Sequence, residues 1–363
     1  MKKKEKNSVA KQVHDFFISL CINIVRPRYQ ILSSILFVTF LFFAFNRAYQ
    51  AVFILEKRPS VYSIDEHDKS YSRAARVEVG FHINDFSVFN IRENDFTFNA
   101  KVWFLFDRSM TSLEDVEKFA FTRGNITHQI LEETKVIDGK FFAQYGVKVA
   151  FKADLNQKYF PFDDHRIYIE LINTHATPEE IIFSADTSSF LIPKELLLIG
   201  WHPVDRQVET GFNKSVLDRF DSQKNSTHPS ALFSIDFSRA GVQNIFLIFL
   251  PLFLMIFISF FALSLNPGVS RSSMFNLALT AVTGLMGYRF VLQGLMPRVS
   301  YFLLSDCFFL LLLGVAFFVF CASLMIVKAG KLTNAILVLR GSVFIISYLI
   351  LIVFSIYFLF YWV

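Results

Sequence analysis

Cysteine is scarce: Cys21, Cys307 and Cys321 are the only three in 363 residues, each in or beside an apolar segment. The long polar stretch between Arg47 and Gln243 has none. No disulfide framework can staple that stretch, which must hold by its own core. Catalytic signatures are missing as well. There is no Gly-x-Ser-x-Gly elbow, no phosphate-binding glycine loop, no zinc-ligand spacing and no thiol in the polar stretch, so neither an enzyme nor a cofactor is expected. Internal repeats and low-complexity tracts are also absent.

Apolar residues, by contrast, are in excess. Hydrophobic residues make up 53% of the chain and include 46 Phe, more than a soluble core of this size needs, so lipid must solvate much of the surface. The expected spans are Gln30 to Arg47, Gln243 to Leu265, Met274 to Gln293, Tyr301 to Val327 and Ser342 to Val363, most near the roughly 20 residues that cross a bilayer core. The third is the least apolar. Cations orient them: Lys2, Lys3, Lys4, Lys6, Lys11, Arg26 and Arg28 precede the first span, Arg271 follows the second, and Lys328, Lys331 and Arg340 follow the fourth. Alternating the crossings puts all of these inside. The polar stretch and the C-terminus then lie outside a plasma or bacterial inner membrane, and the N-terminus is cytoplasmic. The net charge of +5 reflects that topology, and no nucleic-acid partner is expected. Residues 1–29 form a basic leader, whose part Val13 to Val25 either lies along the inner membrane surface or is ordinary signal-anchor sequence. The first span, within 30–55, is read as a retained anchor, with a cleaved signal peptide as the alternative.

Residues 56–240 read as β structure. Phe98, Ala100, Val102, Phe104 and Phe106 alternate with polar or outward residues, as do Val147, Val149 and Phe151, then Ile167, Ile169 and Leu171, then Phe233, Ile235 and Phe237. Period two with one apolar phase marks half-buried strands. Only Ser112 to Ala120 looks helical. The fold class is therefore membrane α+β: an extracytoplasmic, immunoglobulin-like β-sandwich, then a four-helix transmembrane bundle over 241–363, plus the N-terminal transmembrane helix. Near Arg239 the last strand runs into membrane helix with no flexible linker.

Three segments carry a family resemblance. Phe160-Pro161-Phe162-Asp163 lies between two strands, with His165 two places on. A long strand pair runs from Val77 to Gly80 through Asn90 and Asp95, then back to Phe106 and Asp107. Met296-Pro297-Arg298-Val299-Ser300-Tyr301 joins the third and fourth spans, with Asp306 five residues further. In this order they resemble the pentameric ligand-gated ion channels, of which the Cys-loop receptors are the animal branch, from about Arg76 to Val363. Ala153 and Ile167 stand where the animal receptors place bridging cysteines, so the chain is similar to the disulfide-free prokaryotic branch. The extra N-terminal span departs from most members.

The third span carries Asn276, Thr280, Thr283, Gly287 and Phe290 on one helical face. A polar stripe in a membrane needs water or a partner; it either lines a pore or packs helices together. The resemblance favours the pore, in a homopentamer, with Phe290 as an outer ring able to close it by dewetting. No Asp or Glu occurs from Asn266 to Ser305, so the carboxylate ring that favours cations is missing, and Arg271 leans the expectation toward anions or weak selectivity. Arg289 falls roughly 140° from the stripe and is expected to pair with Asp306.

The resemblance also implies a coupling set between sandwich and bundle: Glu93, Asp95, Phe160, Pro161, Asp163, Arg239, Pro297 and Tyr301, with Arg239 paired to Asp163. The bland reading of that pair is a routine surface contact. A small ligand or ion would bind between subunits, where His175 and Phe220 are the weak candidates. No aromatic cage for an ammonium is evident. Trp103 and Trp201 are read as core or subunit interface. Seven of eight His fall in the outer region, which admits proton sensing but follows equally from their exclusion from lipid. Asp65, Glu66, His67 and Asp68 could hold a hard cation or form a solvated linker face. Asp163, Asp164 and His165 are read as a turn rather than a metal site. The alternative to a channel is a non-conducting membrane sensor or assembly protein on the same scaffold.

Overall fold

The computed structural model describes residues 16–361, apart from 17, 22, 25, 51–55, 64–70, 72, 194–197, 199, 217–224, 240–242, 266–270 and 330–333. The chain divides into two units. A sheet unit takes Phe53–Gln157 and Asp163–Gly241, and a helical unit takes Met1–Val52, Lys158–Phe162 and Val242–Val363. The basic leader up to residue 15, the 65–68 cluster, Phe220 and Lys331 lie outside the described residues.

In the sheet unit the strands are β1 (Val61–Tyr62), β2 (Ala75–Asn90), β3 (Asp95–Phe106), β4 (Phe119–Phe121), β5 (Gly124–Ile137), β6 (Lys140–Lys152), β7 (His165–Asn173), β8 (Ile181–Ser184), β9 (Phe190–Leu191), β10 (Trp201–Val216) and β11 (Asn225–Arg239). They form a five-stranded sheet, β1-β10-β11-β7-β4, and a six-stranded sheet, β5-β6-β3-β2-β8 with β9 also paired to β2. The alternation in β3 is complete: Phe96, Phe98, Ala100, Val102, Phe104 and Phe106 are buried and their neighbours half-buried. Aromatic rings fill much of this core. Phe81 lies 5.8 Å from Phe98, 5.6 Å from Phe190 and 5.1 Å from Phe233, contacts worth about 0.5–1.5 kcal/mol each beyond the area they bury. On the other face of β2, a Cβ at Gly80 would stand 1.9 Å from the Trp103 indole. Glycine there lets Trp103 lie across its neighbouring strand, half-buried, while Trp201 joins the core.

The helical expectation for Ser112 to Ala120 holds only in part. Ser112 caps a single turn, α2 (Leu113–Val116), by accepting from the Asp115 amide. Phe119 and Phe121 then alternate with Ala120 and pair with β7, because burying two rings against the sheet outweighs continuing the helix.

The helical unit contains α1 (Pro27–Gln50), α3 (Gln243–Ser264), α4 (Arg271–Leu295), α5 (Leu304–Ala329) and α6 (Asn334–Tyr361). Among the described residues four helices are long and apolar enough to cross a membrane: Ile245–Ser264, Ser272–Leu295, Leu304–Ala329 and Ala335–Tyr357. Helix α5 begins three residues later than the expected span, and α6 begins eight earlier. Arg340, expected in a loop, is therefore inside α6 and buried. Its guanidinium donates to the Leu263 carbonyl (3.0 Å from Nε) and the Leu265 carbonyl (2.8 Å), closing orphan acceptors at the end of α3. Pro251 within α3 lacks the N–H that would have bonded the Leu247 carbonyl. The Tyr288 hydroxyl of α4 donates to that carbonyl at 2.7 Å instead. The described residues of Phe16–Ile24 are helical. Cys21 is fully buried, and a Cβ at Gly341 would meet its carbonyl oxygen at 2.4 Å, so a glycine in α6 lets this segment pack closely.

Candidate functional site

Helix α4 has two unlike faces. Met274, Ala278, Ala281, Leu285 and Leu292 are completely buried in the helical unit, as an apolar face at helical spacing should be. Asn276, Thr280, Thr283, Gly287 and Phe290 are all exposed, Phe290 to 77%. The stripe thus points away from the chain's own bundle. Thr280 donates to the Asn276 carbonyl at 2.8 Å and Thr283 to the Leu279 carbonyl at 2.9 Å. The hydroxyl protons are spent on the helix, which leaves oxygen lone pairs and the Asn276 amide facing outward. Arg289 stands off this stripe, with Nη1 2.6 Å from Asp306 Oδ1 and the guanidinium over the Phe309 ring at 5.2 Å. Asp306 also accepts from the Leu303 amide at 3.0 Å, so the pair doubles as a cap on α5.

The Phe-Pro-Phe turn belongs to the helical unit. Its Lys158 carbonyl accepts from the Leu304 amide at 2.9 Å and its Phe160 carbonyl from the Ser305 amide at 3.3 Å, which satisfies donors that the start of α5 leaves open. Phe160 and Phe162 are buried, and Phe162 stacks on Phe249 at 5.8 Å. Pro161 and Pro297 are buried, while Tyr301 is exposed. The chain passes to the sheet unit at the Phe162–Asp163 peptide.

Within the sheet unit Asp163 lies in a cluster with Arg239, His165 and Glu56, whose side chains are all buried. Arg239 Nη2 donates to Asp163 Oδ1 at 2.8 Å, and neither side chain is more than 9% exposed. His165 Nε2 stands 3.1 Å from Asp163 Oδ2, and His165 Nδ1 stands 2.7 Å from Glu56 Oε1. Trp201 covers the group, with its ring 4.5 Å below the Arg239 guanidinium and 5.3 Å from the imidazole. Asp164 holds the strand end by accepting from the Arg239 amide and the Ser238 hydroxyl. The pair is thus far from a routine surface contact. Burial alone would lower the His165 pKa, but the carboxylates of Asp163 and Glu56 outweigh it and raise it to about 9. Burial would likewise raise Asp163, and the charges of His165 and Arg239 hold it below the usual carboxylate range instead.

Other expected residues stay apart from this cluster. Glu93 is exposed on the 3-10 turn after β2, and Asp95 is half-buried opposite Lys152. Neither forms an ion pair among the described residues. His175 is exposed; its backbone amide donates to the Asn173 side chain. No group of three or more His, Cys, Asp or Glu among the described residues is arranged to hold a metal ion.

Sequence reasoning missed Glu56 and misjudged His165. One signal was available: the alternation of Ile167, Ile169 and Leu171, extended back by two, puts His165 on the inward face, and a buried imidazole needs partners. Nothing comparable marked Glu56. No family model and no curated protein matches the sequence.

Proposed function

We propose that this chain is one subunit of a ligand-gated-type ion channel, a homopentamer whose pore is lined by α4. One observation carries the reading. The most polar of four membrane-length helices turns its hydroxyl-bearing face away from its own bundle. In lipid those groups would be costly; around a common axis with copies of themselves they border water. Five copies is the number implied by the family resemblance. The inner turn of this face would carry Asn276, the middle Thr280 and Thr283, and the outer end Gly287 and Phe290. The absence of carboxylates from 266–305 supports anion or weak selectivity. Helix α1 adds a fifth span, with the N-terminus cytoplasmic and the C-terminus outside. The sheet unit receives an unidentified small ligand or ion, and gating passes through the covalent joints at Asp163 and Arg239.

The test is single-channel recording from purified protein in planar bilayers under salt gradients. Discrete currents with a reversal potential are expected, and Phe290→Ala should raise the resting current. Silent bilayers across ligands and pH would leave the non-conducting sensor as the reading.

A further inference from the structure

We infer that Glu56 and His165 are positioning residues that make the Asp163–Arg239 pair conditional on a proton: the imidazolium bridges the two carboxylates, and losing its proton releases Glu56.

The geometry requires a choice. An imidazolium has two N–H donors, and here one faces Glu56 at 2.7 Å and the other Asp163 at 3.1 Å. A neutral imidazole has one N–H, so it can serve one carboxylate and not both. Asp163 keeps Arg239 whichever happens. Glu56 has no partner beyond His165: its Oε2, like His165 Nε2 and Asp163 Oδ2 at their ion-pair distance, is buried without a hydrogen bond among the described residues. Charge gives the same answer. With His165 protonated the buried set of Glu56, Asp163, His165 and Arg239 sums to zero. Without the proton it carries one net negative charge out of reach of water, an expensive state. The proton leaves to bulk water, and Glu56 must follow it toward solvent.

Other charged groups packed nearby are already committed. Asp164 is bonded to Ser238 and the Arg239 amide, and Arg166, next on β7, is held by Asp236 of β11 at 2.5 Å. Phe237, opposite His165 on β11, and Trp201 from β10 do not titrate. The raised affinity of His165 for its proton agrees with this arrangement. Glu56 comes six residues after the last residue of α1 in the sequence.

The test reads Trp201 emission, which an adjacent imidazolium quenches, in full-length protein carrying Trp103→Phe and Trp362→Phe. Emission should rise with pH around a midpoint near 9. Glu56→Gln should move that midpoint down by about one pH unit or more, Glu56→Asp should restore much of it, and Lys57→Gln should leave it in place. A flat profile in the parent, or an unmoved midpoint in Glu56→Gln, overturns the inference; His165→Gln, if it folds, should abolish the titration. The effect on current rests on the channel reading and is scored separately. If the titration shifts and bilayers are silent, the channel reading fails and the latch stands. If currents occur and their pH dependence ignores Glu56→Gln, the latch has no part in gating.

Discussion

The two units treat polar groups in opposite ways. In the sheet unit, charges that leave water find one another: Glu56, His165, Asp163 and Arg239 close a neutral set under Trp201. In the helical unit, α4 keeps its apolar side inward and sends Asn276, Thr280, Thr283 and Gly287 outward. The first arrangement is complete within one chain. The second leaves Asn276, Thr280 and Thr283 facing outward, and the proposed reading gives that face water along a shared axis. The same contrast separates the two ion pairs. Arg239–Asp163 is almost wholly enclosed, whereas Arg289 remains a third exposed beside Asp306.

The largest effect should come from breaking the closed set. Arg239→Ala leaves Asp163 buried without its hydrogen-bonded partner and should destabilise the sheet unit by about 3–5 kcal/mol, read as a lowered midpoint in denaturant by near-UV circular dichroism. Arg289→Ala should cost the helical unit less, since Asp306 is less enclosed and keeps its bond from the Leu303 amide; an equal loss would erase the distinction. Next, Gly80→Ala forces the Trp103 indole off β2 and should cost about 1–3 kcal/mol, measured in the same way. Alkaline pH is a third probe. A histidine whose pKa is raised by folding, here from 6.5 to about 9, contributes stability that is complete below about 6.5. That contribution is lost as pH climbs through about 9. The Tm of the sheet unit should fall across that window, and in His165→Gln the fall should be absent. The smallest effect on folding should come from the open face. Thr283→Val removes a hydroxyl exposed on α4 and should change stability by less than about 0.5 kcal/mol, while altering unitary conductance in bilayers.

Much of the contrast was legible in the residues. Period two located the strands at β3, β6, β7 and β11, and helical spacing put Thr280, Thr283 and Phe290 on one side of the third span. Arg289 opposite Asp306 followed from the cost of a lone charge in lipid. What stayed hidden depends on tertiary context. The chain gives no local sign that Phe160 and Phe162 pack with helices while Asp163 packs with strands. Phe119 and Phe121 form a strand only because β7 is there to pair with them. The start of α6 was read eight residues late because Arg340 looked like a loop cation, and only the open carbonyls of Leu263 and Leu265 explain its burial. Glu56 is one acidic residue beside Lys57 and Arg58, and its partner lies more than a hundred residues away.

The outward face of α4 is tested most directly by single cysteines introduced from Asn276 to Phe290 in protein lacking Cys21, Cys307 and Cys321. A water-soluble, charged thiol reagent is applied in bilayers while current is recorded. Modification at 276, 280, 283 and 287 should change the current, and cysteines at Ala278, Ala281 and Leu285 should be silent. Equal reaction around the helix, or reaction confined to the buried side, would contradict an aqueous path along this face.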